Sequence, residues 1–164
     1  MKEIEKMRAG ELFSQTDPMI ISQMLRGYIL TKMFNITNDN QSSLRNYLIR
    51  KLFGAVSGDI GCVQAPIHVD YGVNIHVGVN FVSYGNLIIQ DEGPVYIGDN
   101  VVISSNVILT TDLHPLLAEQ RNVCYSARKF PNNHRTNYVY ARPISIGNNV
   151  VIGDSTIICP GVTV

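Results

Sequence analysis

An aliphatic or aromatic residue recurs at every sixth position along much of this chain. Ile146, Ile152, Ile158 and Val164 form one such series, Ile97, Ile103 and Leu109 a second, and Val69, Ile75, Phe81 and Leu87 a third. A helix repeats at about 3.6 residues and a half-buried strand at about 2, so neither explains the interval. A row two residues earlier is also mostly aliphatic: Ile67, Val73 and Val79, then Val95, Val101 and Val107, then Ile144, Val150 and Val162, with Gly85 and Thr156 as exceptions. The pattern fits a chain that advances by short strands around a prism, turning a corner every six residues and stacking like side chains inside. Gly98-Asp99-Asn100, Gly147-Asn148-Asn149 and Gly153-Asp154 supply corner residues that tolerate unusual φ. A sandwich or barrel would instead show period-2 strands with turn signals roughly every 8 to 12 residues.

Two interruptions break the rhythm. Between Leu87 and Ile97 the interval is ten, which predicts that four extra residues within QDEGP bulge from a corner. Between Leu109 and Ile146 the repeat is suspended, and residues 110–143 read as a long extruded loop of the kind that carries function. The repeat stops at Val164 in mid-coil, so C-terminal coils are expected to be missing. Upstream, Asp17-Pro18 is a helix start, after which Ile21, Met24, Leu25, Tyr28, Ile29 and Met33 fall on one face predicted to dock. Leu44, Tyr47, Leu48 and Leu52 repeat that pattern before Gly54. The expected organisation is an N-terminal helical cap over residues 1–58 and a β-helix over 59–164.

Charge excludes several function classes. Thirteen basic residues balance thirteen acidic ones, so no nucleic-acid partner is expected, and no basic run or long apolar stretch suggests a membrane. MKEIEKMRAG lacks the apolar region of a secretory signal, which gives a cytoplasmic expectation. Cys62, Cys124 and Cys159 are odd in number and widely spaced, in keeping with incidental thiols.

The six-residue repeat, KMRAGELF with the helices after it, DYGVNIHVGVNF, YIGDNVVIS followed by a loop with His-Pro, and IGNNVVIG with PGVTV together resemble the maltose and galactoside O-acetyltransferases of the hexapeptide-repeat acyltransferase superfamily. The resemblance implies a left-handed parallel β-helix, an exception to right-handed crossovers, assembled as a homotrimer with active sites between subunits. It also implies direct passage of an acetyl group from acetyl-CoA to a sugar hydroxyl in a ternary complex.

Such a hydroxyl is a poor nucleophile until its proton is accepted, and imidazole suits that task at neutral pH. His114, just past an in-register strand and stiffened by Pro115, aligns with the family's catalytic histidine and is the expected general base. His68 and His76 are expected to face solvent, and His134 sits in the least regular part of the loop. Three convergent imidazoles of a zinc site are not evident, so no metal is expected. On the acceptor side the resemblance points to Asp17, which also suits a helix N-cap, to Asp70, and to Glu92 in place of a family Asp. Asp154 stands where the family carries a CoA-side Ser, and its backbone N–H could meet the thioester's developing oxyanion.

The departures bear on specificity. Where the family reads an aromatic residue and then Ala-Asn, this chain has Val82, Ser83 and Tyr84, which makes Tyr84 the acceptor-side candidate there. Asn86 comes two residues late, a shift of about 6.6 Å along a strand. The loop segment KFPNNHRTNYVY is longer than in the galactoside enzymes and suits either a larger acceptor or a neighbouring subunit. The alternatives are a non-catalytic trimeric scaffold and an acetyltransferase acting on a polysaccharide precursor or an amino group.

Overall fold

The computed structural model describes residues 1–121 and 138–164, and its strands are as short as a six-residue interval demands. Helix α1 (Glu3–Ala9), strand β1 (Phe13–Ser14), helix α2 (Pro18–Asn35) and helix α3 (Ser42–Leu52) come first. The coil strands follow: β2 (Ala55–Val56), β3 (Ile67–Val69), β4 (Ile75–Val77), β5 (Val82–Ser83), β6 (Leu87–Gln90), β7 (Val95–Ile97), β8 (Val102–Ile103) and β9 (Ile108–Thr110). Strand β10 (Asp112–Leu113), helix α4 (Ala118–Arg121) and strand β11 (Tyr138–Ala141) interrupt them, and β12 (Ile144–Ile146), β13 (Val151–Ile152) and β14 (Ile157–Ile158) resume. Among the described residues no helix is long and apolar enough to cross a membrane.

Three parallel sheets form the faces of a β-helix, in the orders β12-β7-β4-β2, β13-β8-β5 and β14-β9-β6-β3. Strand β2 already pairs with β4, so the first coil opens at Ala55, slightly before the expected boundary. The interior carries Ile75, Phe81, Leu87, Val95, Val101, Val107 and Ile144, each at most 1 % exposed. Phe34, Leu48, Ile49 and Leu52 from α2 and α3 join the same core, which attaches the helices to the coils.

The pairing corrects the predicted register. Ile67 lies opposite Leu87 and Val69 opposite Ile89, while Ile75 pairs with Val95 and Val77 with Ile97. Ile75, Phe81 and Leu87 therefore belong to the earlier row, and Val77, Ser83 and Ile89 stack beneath Ile97, Ile103 and Leu109. Side chains alternate along a strand, so a slip of two residues leaves the same face inward, and sequence pattern alone does not distinguish the two alignments. The ten-residue interval thus contains no single four-residue bulge. Instead the same corner is lengthened by two residues twice, at Asp70–Asn74 and at Asp91–Pro94, and the long excursion leaves from that corner in the third coil.

Within the expected corner triplets the left-handed residue is the asparagine, Asn100 and Asn149, and not the glycine before it. The left-handed positions fall on Asn80, Asn86, Asn100, Asn106, Asn149 and Ser155, with φ between 55° and 62°. Asparagine reaches this region more readily than other residues with a Cβ, and the side chains ladder from coil to coil: Asn80 Nδ2 donates to Asn100 Oδ1 and Asn100 Nδ2 to Asn149 Oδ1, both at 3.2 Å. The neighbouring Gly78 is required for close approach, since a Cβ there would stand 2.3 Å from Asp99 Oδ1 and 2.6 Å from the Gly98 backbone. Gly78→Ala is expected to destabilise the fold by about 2 kcal/mol, read from the midpoint of urea denaturation.

The helices bury a different face from the one predicted. Ile21, Met24, Leu25, Tyr28, Ile29 and Met33 of α2 are all exposed, while Ile20, Gly27, Thr31 and Phe34 are buried. Gly27 explains the choice: a Cβ there would lie 2.8 Å from the carbonyl oxygens of Asp70 and Tyr71, so the helix settles on that corner through its backbone. In α3, Leu48 and Leu52 are buried as expected, but Leu44 and Tyr47 are exposed and Ile49 takes their place.

Candidate active site

The lengthened corner gathers carboxylates from three successive coils. Asp91 is fully buried, and its Oδ1 accepts from Tyr71 N at 2.9 Å while its Oδ2 accepts from Asn74 N at 3.3 Å. Asn74 Nδ2 donates to the Asp91 carbonyl at 2.7 Å, locking the first corner to the second. The second is locked to the root of the excursion by Thr111, whose hydroxyl donates to the Gln90 carbonyl at 2.7 Å and accepts from Gly93 N at 2.8 Å. Asp70, Glu92 and Asp112 are held close by this stack and act on one another electrostatically.

The described residues of the excursion form strands β10 and β11 and helix α4. Strand β11 pairs antiparallel with β10 and with β1, so the described parts of the expected extruded loop contribute two strands to a three-stranded sheet. Val139 and Phe13 pack with Ile20 and Tyr71 in a second apolar cluster beneath the acidic corner. The expected loop closure by residues 129–137 lies outside the described residues, as do Cys124 and His134.

Burial governs the protonation of the corner. Glu92 is 6 % exposed and its Oε2 has no hydrogen-bond partner among the described residues. Burial first, and the Asp70 carboxylate second, push its carboxyl up to about 8. Asp70 is raised in the same way, by burial and then by Asp112. A hydrogen bond joins the Asp70 and Glu92 side chains, and two carboxyls bond to each other only when one keeps its proton. Burial also pushes Asp91 up to about 7, against the opposing pull of its backbone donors. The Tyr71 hydroxyl is driven well above the ordinary phenol range by burial and by Glu92, Asp70 and Asp91. Among the described residues no arginine or lysine appears in the set of groups acting on these carboxyls.

His114 stands at the rim, half exposed, with Nε2 3.6 Å from Asp112 Oδ2. Pro115 after it is buried and anchors the turn. The structure therefore brings together His114, Asp70 and Glu92 of the expected set and adds Asp112, Asp91 and Tyr71. The spacing Asp112-Leu113-His114 carried a legible signal, because residues two apart on a strand share a face.

The other expected residues lie in different settings. Asp17 Oδ1 accepts from Met19 N at 2.9 Å and Ile20 N at 3.3 Å, the N-cap role, and Ile20 packs against the acidic corner's Tyr71. Tyr84 is exposed just after β5, and its N–H donates to the Ile103 carbonyl. Asp154 Oδ1 accepts from Ser105 N at 2.8 Å, as Asp99 Oδ1 does from Val79 N and Asn148 Oδ1 from Asp99 N, so its carboxylate bridges adjacent coils at a corner. His68 is exposed, but His76 is only half exposed, with its ring stacked on Tyr96 at 5.1 Å, and burial lowers its pKa. Cys62 and Cys159 are exposed free thiols. Among the described residues no three His, Cys, Asp or Glu side chains converge as metal ligands.

Similarity to known proteins follows the same lines. Residues 6–58 match the family model described as the maltose acetyltransferase hexapeptide capping motif. The whole chain is 38 % identical to the galactoside O-acetyltransferase of Escherichia coli K12 and spans 74 % of it. A maltose O-acetyltransferase structure from Clostridium difficile 630 superposes with a TM-score of 0.87 at 36 % identity, over 99 % of this chain and 80 % of that one. A galactoside acetyltransferase in complex with coenzyme A superposes with a TM-score of 0.82 at 37 % identity, over 99 % of this chain and 74 % of that one.

Proposed function

Because this chain belongs to the maltose and galactoside O-acetyltransferase family of hexapeptide-repeat acyltransferases, and is itself an acyltransferase, we propose that it transfers an acetyl group from acetyl-CoA to a hydroxyl of a sugar or related carbohydrate. The observation that carries this reading is the half-exposed imidazole of His114 at the rim of a buried acidic corner that includes Asp70 and Glu92. His114 accepts the proton of the acceptor hydroxyl as that oxygen attacks the thioester carbonyl. The new ester C–O bond forms, the C–S bond breaks, and the proton passes to the departing thiolate, so transfer is direct in a ternary complex.

Asp70 and Glu92 receive the acceptor's other hydroxyl groups, and the unpartnered Oε2 of Glu92 offers one of them a buried hydrogen-bond partner. Asp17 and Tyr84 belong to the acceptor side in this reading, and Asp17 keeps Oδ2 beyond its capping bonds for the purpose. Asp154 serves acetyl-CoA through its backbone, since its side chain is engaged with Ser105. The assembly is a homotrimer of left-handed coils with the thioester between subunits. Val151 and Ile157 on the outer faces of the coils, 70 % and 61 % exposed, are apolar positions that such an interface would cover.

Among the described residues the groups acting on the corner are acidic, which favours one second reading, an acceptor amino group in place of a hydroxyl. Release of CoA thiol from acetyl-CoA, measured with glucose, maltose, methyl galactoside and a de-N-acetylated chitobiose, tests both. Acetyl esters as products support the first reading and acetyl amides the second, while no thiol release above the acceptor-free rate with any sugar or oligosaccharide rejects both.

A further inference from the structure

We propose that Asp112 is the positioning residue of this site: its carboxylate holds the hydrogen-bearing nitrogen of the His114 ring, leaving the opposite nitrogen free to take the acceptor's proton. The inference rests on His114 acting as the base, and its test separates the two.

The geometry is specific. Asp112 and His114 flank Leu113 at the end of β10, so their side chains rise from one face. Asp112 Oδ2 lies 3.6 Å from His114 Nε2, and Asp112 Oδ1 accepts from the Thr110 hydroxyl at 2.5 Å. The Asp112 main chain is registered against Ala141 of β11, so the carboxylate is held by a hydroxyl on one side and by a strand ladder beneath. His114 by contrast is 54 % exposed, and an imidazole in that position has two tautomers and several rotamers open to it. A fixed carboxylate selects one of them and places a counter-charge beside the imidazolium as the proton arrives. The distance exceeds a hydrogen bond, as catalytic contacts often do before substrates tighten them. Asp112 also acts on Asp70 and Glu92, but those two are tied to each other and are supplied by the corners of the first and second coils. Among the described residues Asp112 is the acidic group that engages the ring itself.

The test is a double-mutant cycle of Asp112→Asn and His114→Ala, assayed with acetyl-CoA and the best acceptor of the sugar panel. Asp112→Asn alone is expected to lower kcat about 10- to 100-fold, the usual worth of a group that orients a functional histidine, with both KM values within twofold. Added to His114→Ala it should cost nothing more, because its effect passes through the ring. Asp112→Glu should recover part of kcat. Unchanged kcat in a folded Asp112→Asn protein overturns the proposal, as does a loss that multiplies with that of His114→Ala or one confined to KM. Should Asp112→Asn melt well below the wild type, Thr110→Val takes its place: a severalfold fall in kcat that vanishes in the His114→Ala background supports the proposal, and unchanged kcat overturns it. Full turnover in His114→Ala alone removes the functional reading itself, an outcome distinct from all of these.

Discussion

Replacing His114 with alanine is expected to lower kcat/KM for acetyl transfer roughly 1,000-fold, within the range attributed to a single general base. The fold should be indifferent to the change. The ring is half exposed and lies outside both apolar cores, and substitutions at such positions usually stay within about 0.5 kcal/mol. Affinity for acetyl-CoA should also persist, since the proposed donor contacts come from the coil backbone and not from this ring. Titration of acetyl-CoA into the variant, alongside thermal melts, separates lost chemistry from lost binding. Turnover within threefold of the wild type would sink the assignment of the base.

A Glu92→Gln substitution is expected to change how stability depends on pH. Burial lifts the Glu92 carboxyl from 4.5 to about 8, so the folded chain keeps a proton that the unfolded chain has released. Stability from this group is therefore complete below about pH 4.5 and is lost as pH climbs through about 8. Glutamine has no proton to lose, and its amide can donate the bond that protonated Glu92 offers Asp70. The variant should gain on the wild type by on the order of 3 kcal/mol between pH 5 and pH 9, less whatever Asp70 shares of the titration. Asp70 and Asp91 are raised in the same direction and will leave some slope behind in the variant. Urea midpoints for both proteins at the two pH values measure the difference, and parallel curves would show that the wild-type carboxyl is already ionised in the folded state.

Legibility differed from element to element. Ile97, Ile103 and Leu109 were placed correctly because nothing interrupts their interval. Ile75, Phe81 and Leu87 were placed two residues out of step because Ile75 and Val77, like Leu87 and Ile89, both point inward. His114, Asp70 and Glu92 were singled out through family resemblance, whereas nothing in the local sequence marks Asp91, whose bonds to Tyr71 and Asn74 join segments far apart in the chain. The docking face of α2 was missed because a stripe of large apolar residues outweighs Gly27 in any periodicity, although contact with a backbone favours the residue with no side chain.

What the amino-acid order determined by itself was a stack of short parallel strands with a histidine at the root of an excursion, since periodicity records which side chains must leave water. Tertiary structure decided the rest: which two corners were lengthened, that a residue as distant as Phe13 pairs with β11, and that three coils pool their carboxylates beneath His114. Those outcomes depend on contacts between segments far apart in the chain, and burial in a shared low-dielectric corner has no signature in the local sequence of any one of them.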